Sequence, residues 1–208
     1  MSHRYRAVLF DLLSALIDSW RLWDDVAGGR KRGRRWRLRY LEQSYECEGY
    51  PAYETLIIES AADAGITLAQ AAVLIERWDE LTPWPEARDI VAACAKGRKV
   101  GVVTNCSETL GTAAAQKLGL ELDVFLTAER AGCYKPDPAI YAMAIREIGE
   151  RPEDILYVAG SPFDVRGAVA AGMSVYWHNR VAFPSDDSPA LEVADTLHGV
   201  YGLAGGRR

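Results

Sequence analysis

The sequence predicts an α/β protein: a doubly wound parallel sheet whose first strand is N-terminal, with a helical segment inserted after that strand. Three observations predict it. Short apolar runs, each ending in a polar group, open the chain and return after residue 99. Stretches with helical periodicity separate the later runs. Between residues 20 and 80 no such run occurs. Parallel strands covered by helices on both faces read as continuous apolar runs rather than alternating ones.

The run at residues 6–10 is the first strand, and it delivers Asp11 into a turn. In the next stretch Trp20 and Trp23, Trp36 and Tyr40, residues 56–64, and Ala72, Ile75 and Trp78 recur at helical spacing. Gly28-Gly29, Gly49-Tyr50-Pro51 and Gly65 divide that stretch into about four helices. Helix is then expected at 85–96, strand at 99–105, helix at 108–118 and strand at 124–126. Helix 138–148, strand 155–159, helix 165–171 and strand 174–177 complete the alternation, and residues 183–189 read as a polar loop. The organisation is a Rossmann-like core of residues 1–18 and 82–208 with a helical cap over 19–81.

The chain has 208 residues, 49% of them hydrophobic, enough for a full core. Its net charge of −5 gives no global attraction to nucleic acid or anionic membrane. No apolar run approaches the roughly 18 residues that span a bilayer, and the polar start Met1-Ser2-His3-Arg4 is no secretory signal. Cys47, Cys94, Cys106 and Cys133 lack paired spacing and read as reduced thiols of a cytoplasmic protein, without a zinc site. His3, His178 and His198 stand beside no nucleophile in a recognisable motif, which argues against a Ser-His-Asp enzyme.

Residues 30–39 carry seven cations and could contact phosphates, but apolar Trp36, Leu38, Tyr40 and Leu41 interleave them. The reading is a solvated helix face that contributes one functional arginine. Trp20, Trp78 and Trp84 are expected in the core of the cap, and Cys106 as a small core filler. Asp18 is expected to cap a helix or to act, and Asp137 to shape a turn.

Four strand ends deliver chemistry. The first gives Asp11, the run 100–103 gives Thr104-Asn105, the loop after 124–126 gives Lys135, and the run 155–159 gives Gly160-Ser161-Pro162-Phe163-Asp164. Two carboxylates, a hydroxyl and an ammonium from separate strand ends meet at one edge of a sheet, and together they suit covalent catalysis by a carboxylate. Lys135 would hold Asp11 ionised, and Thr104 and Asn105 would donate hydrogen bonds.

Asp11, Thr104, Lys135 and Asp164, in this order and context, resemble the four motifs of the haloacid dehalogenase superfamily, over nearly the whole chain. Most members of that superfamily are Mg²⁺-dependent phosphatases. They carry an acid two residues after the nucleophile and a second acid in the fourth motif. Here those positions are Leu13 and Gly160. Without them a phosphate dianion would meet uncompensated repulsion and an alkoxide would leave unprotonated. A halide needs no proton, and one arginine can neutralise a monocarboxylate.

Residues 36–42 and 134–141 further resemble the 2-haloacid dehalogenase subfamily. The resemblance makes Arg37 the substrate- and halide-binding arginine, whose planar fork suits a carboxylate. It makes Tyr141 the support of the lysine, Phe163 an aromatic wall and Asn105 the halide-side amide, and Leu13 and Leu41 join the substrate-binding set. Three positions depart from the subfamily: Ala15 replaces a threonine bonded to the nucleophile, Leu13 an aromatic, and Ser161 an asparagine.

What the resemblance implies is a metal-independent hydrolase of small 2-substituted carboxylates, with Asp11 as nucleophile and Asp164, helped by Ser161 and Lys135, directing water. It implies no cofactor, a small carboxylate as partner and a homodimer. Two readings stand beside it: a phosphatase with a degenerate Mg²⁺ site, and a silent binding protein that keeps the pocket.

Overall fold

The computed structural model describes residues 5–185 and 187–205; His3 lies outside them. Its centre is a six-stranded parallel sheet built from β1 (Ala7–Phe10), β2 (Lys99–Thr104), β3 (Val124–Thr127), β4 (Ile155–Ala159), β5 (Ser174–His178) and β6 (Glu192–Ala194). The strand order is β3-β2-β1-β4-β5-β6. Phe10 is in register with Val102 on one side and Val158 on the other. The chain therefore winds outward in both directions from β1, and the crevice at the carboxyl ends of β1, β2 and β4 is where such sheets hold ligands.

Alternation within the apolar runs divides them between two cores. Val8, Phe10, Val102, Leu156 and Val158 pack on one face, and Ala7, Leu9, Val103, Tyr157 and Ala159 on the other. Helices α5 (Ala87–Ala95), α6 (Glu108–Gln116) and α7 (Ala128–Ala131) follow one another around β2 and β3. Helices α8 (Pro138–Ile148) and α9 (Pro162–Ala170) cover the second face, where Ile140, Tyr141, Ala144, Val165 and Ala168 belong to its core. A last helix, α10 (His198–Leu203), follows β6.

Between residues 19 and 80 every regular element is helical, as expected: α1 (Ser19–Val26), α2 (Arg30–Glu46), α3 (Tyr53–Glu59) and α4 (Leu68–Glu76), with two short 3₁₀ turns. Asp18 caps α1 by accepting from Arg21 N. Gly33 sets how close α1 and α2 can come, since a Cβ there would lie 2.5 Å from the Asp24 Cα. Trp36 is fully buried and donates its indole N–H to Ile57 O at 2.9 Å, tying α2 to α3. Trp23, Tyr53 and Trp78 pack into the same cluster as Phe10 and Val158, so the helical segment and one face of the sheet share a core. Ile17 and Pro83 pair in a single antiparallel bridge, which brings the two crossings between sheet and helices side by side.

Several boundaries differ from those the pattern predicts. Helix α9 starts at Pro162 rather than 165, because Ser161 caps it and proline at the first helical position needs no amide partner. Asp164 therefore sits in the first turn of a helix. Short α7, edge strand β6 and α10 have no counterpart in the expected pattern. No helix among the described residues is long and apolar enough to cross a membrane.

Candidate active site

The turn after β1 holds Asp11 by its own backbone. Ser14 N and Ala15 N each donate to Asp11 Oδ2 at 3.2 Å. Ala15 thus supplies through its amide a hydrogen bond that its methyl side chain cannot. His178 Nδ1 contacts Ala15 O at 2.7 Å and pins the turn from β5. Burial keeps that imidazole neutral by lowering its proton affinity.

Lys135 enters from the loop after α7 and is 3% exposed. Its Nζ reaches Asp11 Oδ1 at 2.8 Å, Asp164 Oδ2 at 2.9 Å, Val103 O at 2.9 Å and Tyr157 Oη at 3.1 Å. Burial alone would favour the neutral amine, but the Asp11 and Asp164 carboxylates outweigh it and raise the proton affinity of Lys135. It is an ammonium bridging two carboxylates. Asn105 fixes the same residue by its backbone, accepting from Lys135 N at 2.7 Å and donating to Lys135 O at 3.0 Å.

Asp164 is 4% exposed and carries three donors: Tyr141 Oη on Oδ1 at 2.8 Å, with Lys135 Nζ and Tyr157 Oη on Oδ2 at 2.9 and 3.2 Å. A carboxylate has about four acceptor positions, so one is left for a further donor such as water. Burial and the nearby Asp11 charge raise its pKa above the ordinary aspartate range, against the pull of Lys135 and Tyr141. Tyr141 meets Lys135 only through their shared partner Asp164. Tyr141, on α8, reaches the Asp164 side of the site, and Tyr157 in the middle of β4 is the phenol in contact with Lys135 Nζ.

From the opposite wall, α2 lowers Arg37 into the cleft, where it is 4% exposed. Its guanidinium donates to Ser19 Oγ at 2.5 Å and to Leu13 O and Ser14 Oγ at 3.2 Å, and it lies 4.4 Å over the Trp20 ring. All three acceptors are neutral. No ion pair to Arg37 forms among the described residues, and its Nε is buried without a partner. The neighbouring cations behave differently: Arg39 pairs with Asp63 and Glu42 at the surface, and Arg34 donates to Val181 O. One arginine of the basic run is inside and the others lie nearer solvent.

These groups enclose a cavity of about 30 Å³. Asp11, Leu13, Arg37, Leu41, Thr104, Asn105, Lys135, Ser161 and Asp164 line it, together with Ser14, Tyr40 and Tyr45, which the sequence reading did not single out. Thr104 Oγ1 is buried in that wall without a hydrogen-bond partner, whereas the Asn105 amide is already engaged by Lys135. Tyr141 lies behind Asp164, and Phe163 is 46% exposed outside the cavity, stacked on Tyr45 at 4.3 Å. Spacing could have found Tyr45, since Arg37, Leu41 and Tyr45 follow one another at four-residue steps on α2. Nothing in the β4 run distinguishes the Tyr157 hydroxyl from the core residues around it.

The donor set does not fit Mg²⁺. The bridging ammonium already engages both carboxylates, and Gly160 provides neither a ligand nor room for one. A Cβ at Gly160 would stand 2.6 Å from Asp11 Oδ2, 2.5 Å from Ser14 Cβ and 2.9 Å from Ala15 N. Among the described residues no three histidine, cysteine or acidic side chains gather as metal ligands. Cys106 is fully buried, and burial raises its thiol far above the reactive range.

Residues 5–172 match the haloacid dehalogenase-like hydrolase family. The chain is 28% identical to (S)-2-haloacid dehalogenase 4A of Burkholderia cepacia over 223 aligned positions, gaps included, a match that covers 96% of this chain and 92% of that one. It is 32% identical to haloacetate dehalogenase H-2 of Moraxella sp. (strain B) over 117 residues, 55% of this chain and 52% of the other. The structure of L-2-haloacid dehalogenase from Xanthobacter autotrophicus superposes with a TM-score of 0.82, covering 98% of this chain and 100% of that one. At 21% identity that likeness speaks for the fold alone.

Proposed function

The chain belongs to the haloacid dehalogenase-like hydrolase family, and from that premise we propose that it is a metal-independent hydrolase of small 2-haloacids with Asp11 as nucleophile. The observation that carries the reading is Arg37, a buried cation that faces the cleft with no carboxylate partner. A buried charge is costly unless it is paired, and a substrate carboxylate would pair it. The curated relative from Burkholderia cepacia, matched along almost its whole length, supports the same substrate class.

Substrate carboxylate bound at Arg37, with Thr104 Oγ1 as an available donor, would point the α-carbon at Asp11. An Asp11 oxygen attacks that carbon, the carbon–halogen bond breaks, and the halide leaves with the electron pair and needs no proton. The product of this step is an ester of Asp11. Lys135 withdraws charge from the carboxyl group, and the amides of Ser14 and Ala15 are placed to hold the oxyanion that forms when the ester is attacked. Asp164 uses its free acceptor position to orient water and take its proton. The ester collapses to the 2-hydroxy acid and regenerates Asp11, which now carries one oxygen from water. The same reading makes the helical segment a cap that excludes water during the first step. It also takes the protein to be cytoplasmic and homodimeric, the latter checked by light scattering.

The test is halide release from 2-chloropropionate in EDTA, set beside Mg²⁺-dependent hydrolysis of a generic phosphate ester. Turnover of the phosphate ester alone would overturn the proposal. In a single turnover in H₂¹⁸O with enzyme in excess, the label should enter the Asp11 carboxylate and not the product.

A further inference from the structure

The walls of the cavity differ in how firmly they are fixed. Tyr40 is 3% exposed, donates to Asn105 O at 3.2 Å and packs against Trp23 and Tyr53. Leu13 is buried, and Arg37 is held by three hydrogen bonds. Tyr45 is only half-buried. Its hydroxyl meets Ser161 Oγ at 3.2 Å and its ring lies 4.3 Å from Phe163, so it reaches from α2 across the cleft to the start of α9. The outer member of that aromatic pair is exposed, which places Tyr45 at the mouth.

We propose that Tyr45 is the residue that limits substrate size, and that it restricts the enzyme to the shortest 2-haloacids, haloacetate before longer 2-haloalkanoates. This rests on the proposed dehalogenase reading. A cavity of about 30 Å³ is small beside the roughly 150 Å³ void that accepts benzene in an engineered protein core. Each methylene added to the α-carbon must displace a wall; Leu13, Arg37 and Tyr40 are pinned by burial or hydrogen bonds, and of the half-buried Leu41 and Tyr45 it is Tyr45 that spans the cleft. Moving the Tyr45 ring breaks one hydrogen bond and one exposed stack. Within a rigid apolar pocket a single methylene changes kcat/KM by about 10- to 200-fold.

The experiment compares kcat/KM for chloroacetate and 2-chlorohexanoate in wild type, Tyr45→Ala and Tyr45→Phe. Wild type should favour chloroacetate by at least the factor one methylene gives. Tyr45→Ala should bring the ratio toward one, chiefly by lowering KM for the long acid. Tyr45→Phe, which keeps the ring and loses the hydroxyl, should retain the wild-type ratio. Equal use of both acids by wild type, or a ratio unmoved in Tyr45→Ala, overturns the assignment. The same pair of acids is titrated by NMR against Asp11→Asn with and without Tyr45→Ala, where no turnover is required. If no protein releases halide, the dehalogenase reading fails. The size limit then still stands if chloroacetate binds more tightly and Tyr45→Ala removes the difference, and falls if both acids bind alike or neither binds.

Discussion

The two walls of the cleft are built on different physical terms. On the sheet side Asp11, Lys135 and Asp164 are nearly fully buried, and each already has three or more charged or polar partners, drawn from the turn after β1 and from β2, β4, α8 and α9. On the helical side Arg37 is equally buried yet meets only neutral oxygens, while Leu41 and Tyr45 are half-exposed. A wall whose ionic groups already meet one another is set before any ligand arrives, so it suits chemistry that needs fixed geometry. A wall with one unsatisfied cation has its balance completed by the ligand, so it suits recognition. The difference teaches that reaction and selection can be altered separately in this fold.

The largest expected effect tests the sheet wall. Asp11→Asn should cost on the order of 10⁴-fold or more in halide release, as loss of a covalent nucleophile does, with an unchanged circular dichroism spectrum. Substantial residual turnover would place the nucleophile elsewhere. On the other wall, Arg37→Met should lower kcat/KM by about 10²- to 10³-fold, the scale for removing one partner of a buried charge pair. Arg37→Lys, which keeps the charge and loses the fork, should recover only part of it.

Lys135→Met separates the walls by stability. Removing the ammonium leaves two facing carboxylates in the interior, and the loss should be about 3–5 kcal/mol at neutral pH. Those carboxylates would then hold protons more tightly folded than unfolded. Stability of the variant should therefore rise as pH falls, and a denaturant series across pH reads the slope directly. Unchanged stability at neutral pH would mean the bridge is not buried as described.

The smallest effect concerns Asp164. As the proposed base it must be ionised, so activity should fall as pH drops through its pKa, which burial has raised. The acid limb of kcat should lie above the ordinary aspartate range. Tyr141→Phe removes a donor that favours the carboxylate, so the limb should move to still higher pH while the plateau rate stays near wild type. A limb that moves to lower pH contradicts the Tyr141–Asp164 bond.

The sheet wall was far more legible from sequence than the helical one. Asp11, Lys135 and Asp164 become legible together, through their order and strand contexts, whereas a lone aspartate after a strand reads as a cap of the next helix. Strands β1 and β4 share that clarity, being apolar throughout, and β2 and β5 have apolar centres. Strand β6 hides because it is three residues long at a sheet edge, with Glu192 and Val193 exposed. Short α7 covers one turn and leaves no period to detect. Tyr157 was invisible as a site residue because a tyrosine in a buried strand looks like packing until its hydroxyl is seen. Arg37 was found through family resemblance. Its isolation from carboxylates depends on how α2 is rotated against α1, which no local pattern encodes.

The crowding at Gly160 has a consequence for how easily this site could change its chemistry. Supplying the missing acid looks like one substitution, yet the first carbon of any side chain there would press on Asp11 Oδ2, the Ser14 side chain and the backbone of Ala15 at once. Two of those three belong to the turn that holds Asp11. A protein library that varies position 160 alone should thus yield misaligned turns rather than cation-dependent enzymes. Any route to a metal-assisted variant must first move the β1 turn away from β4, through intermediates in which Asp11 has lost its present support.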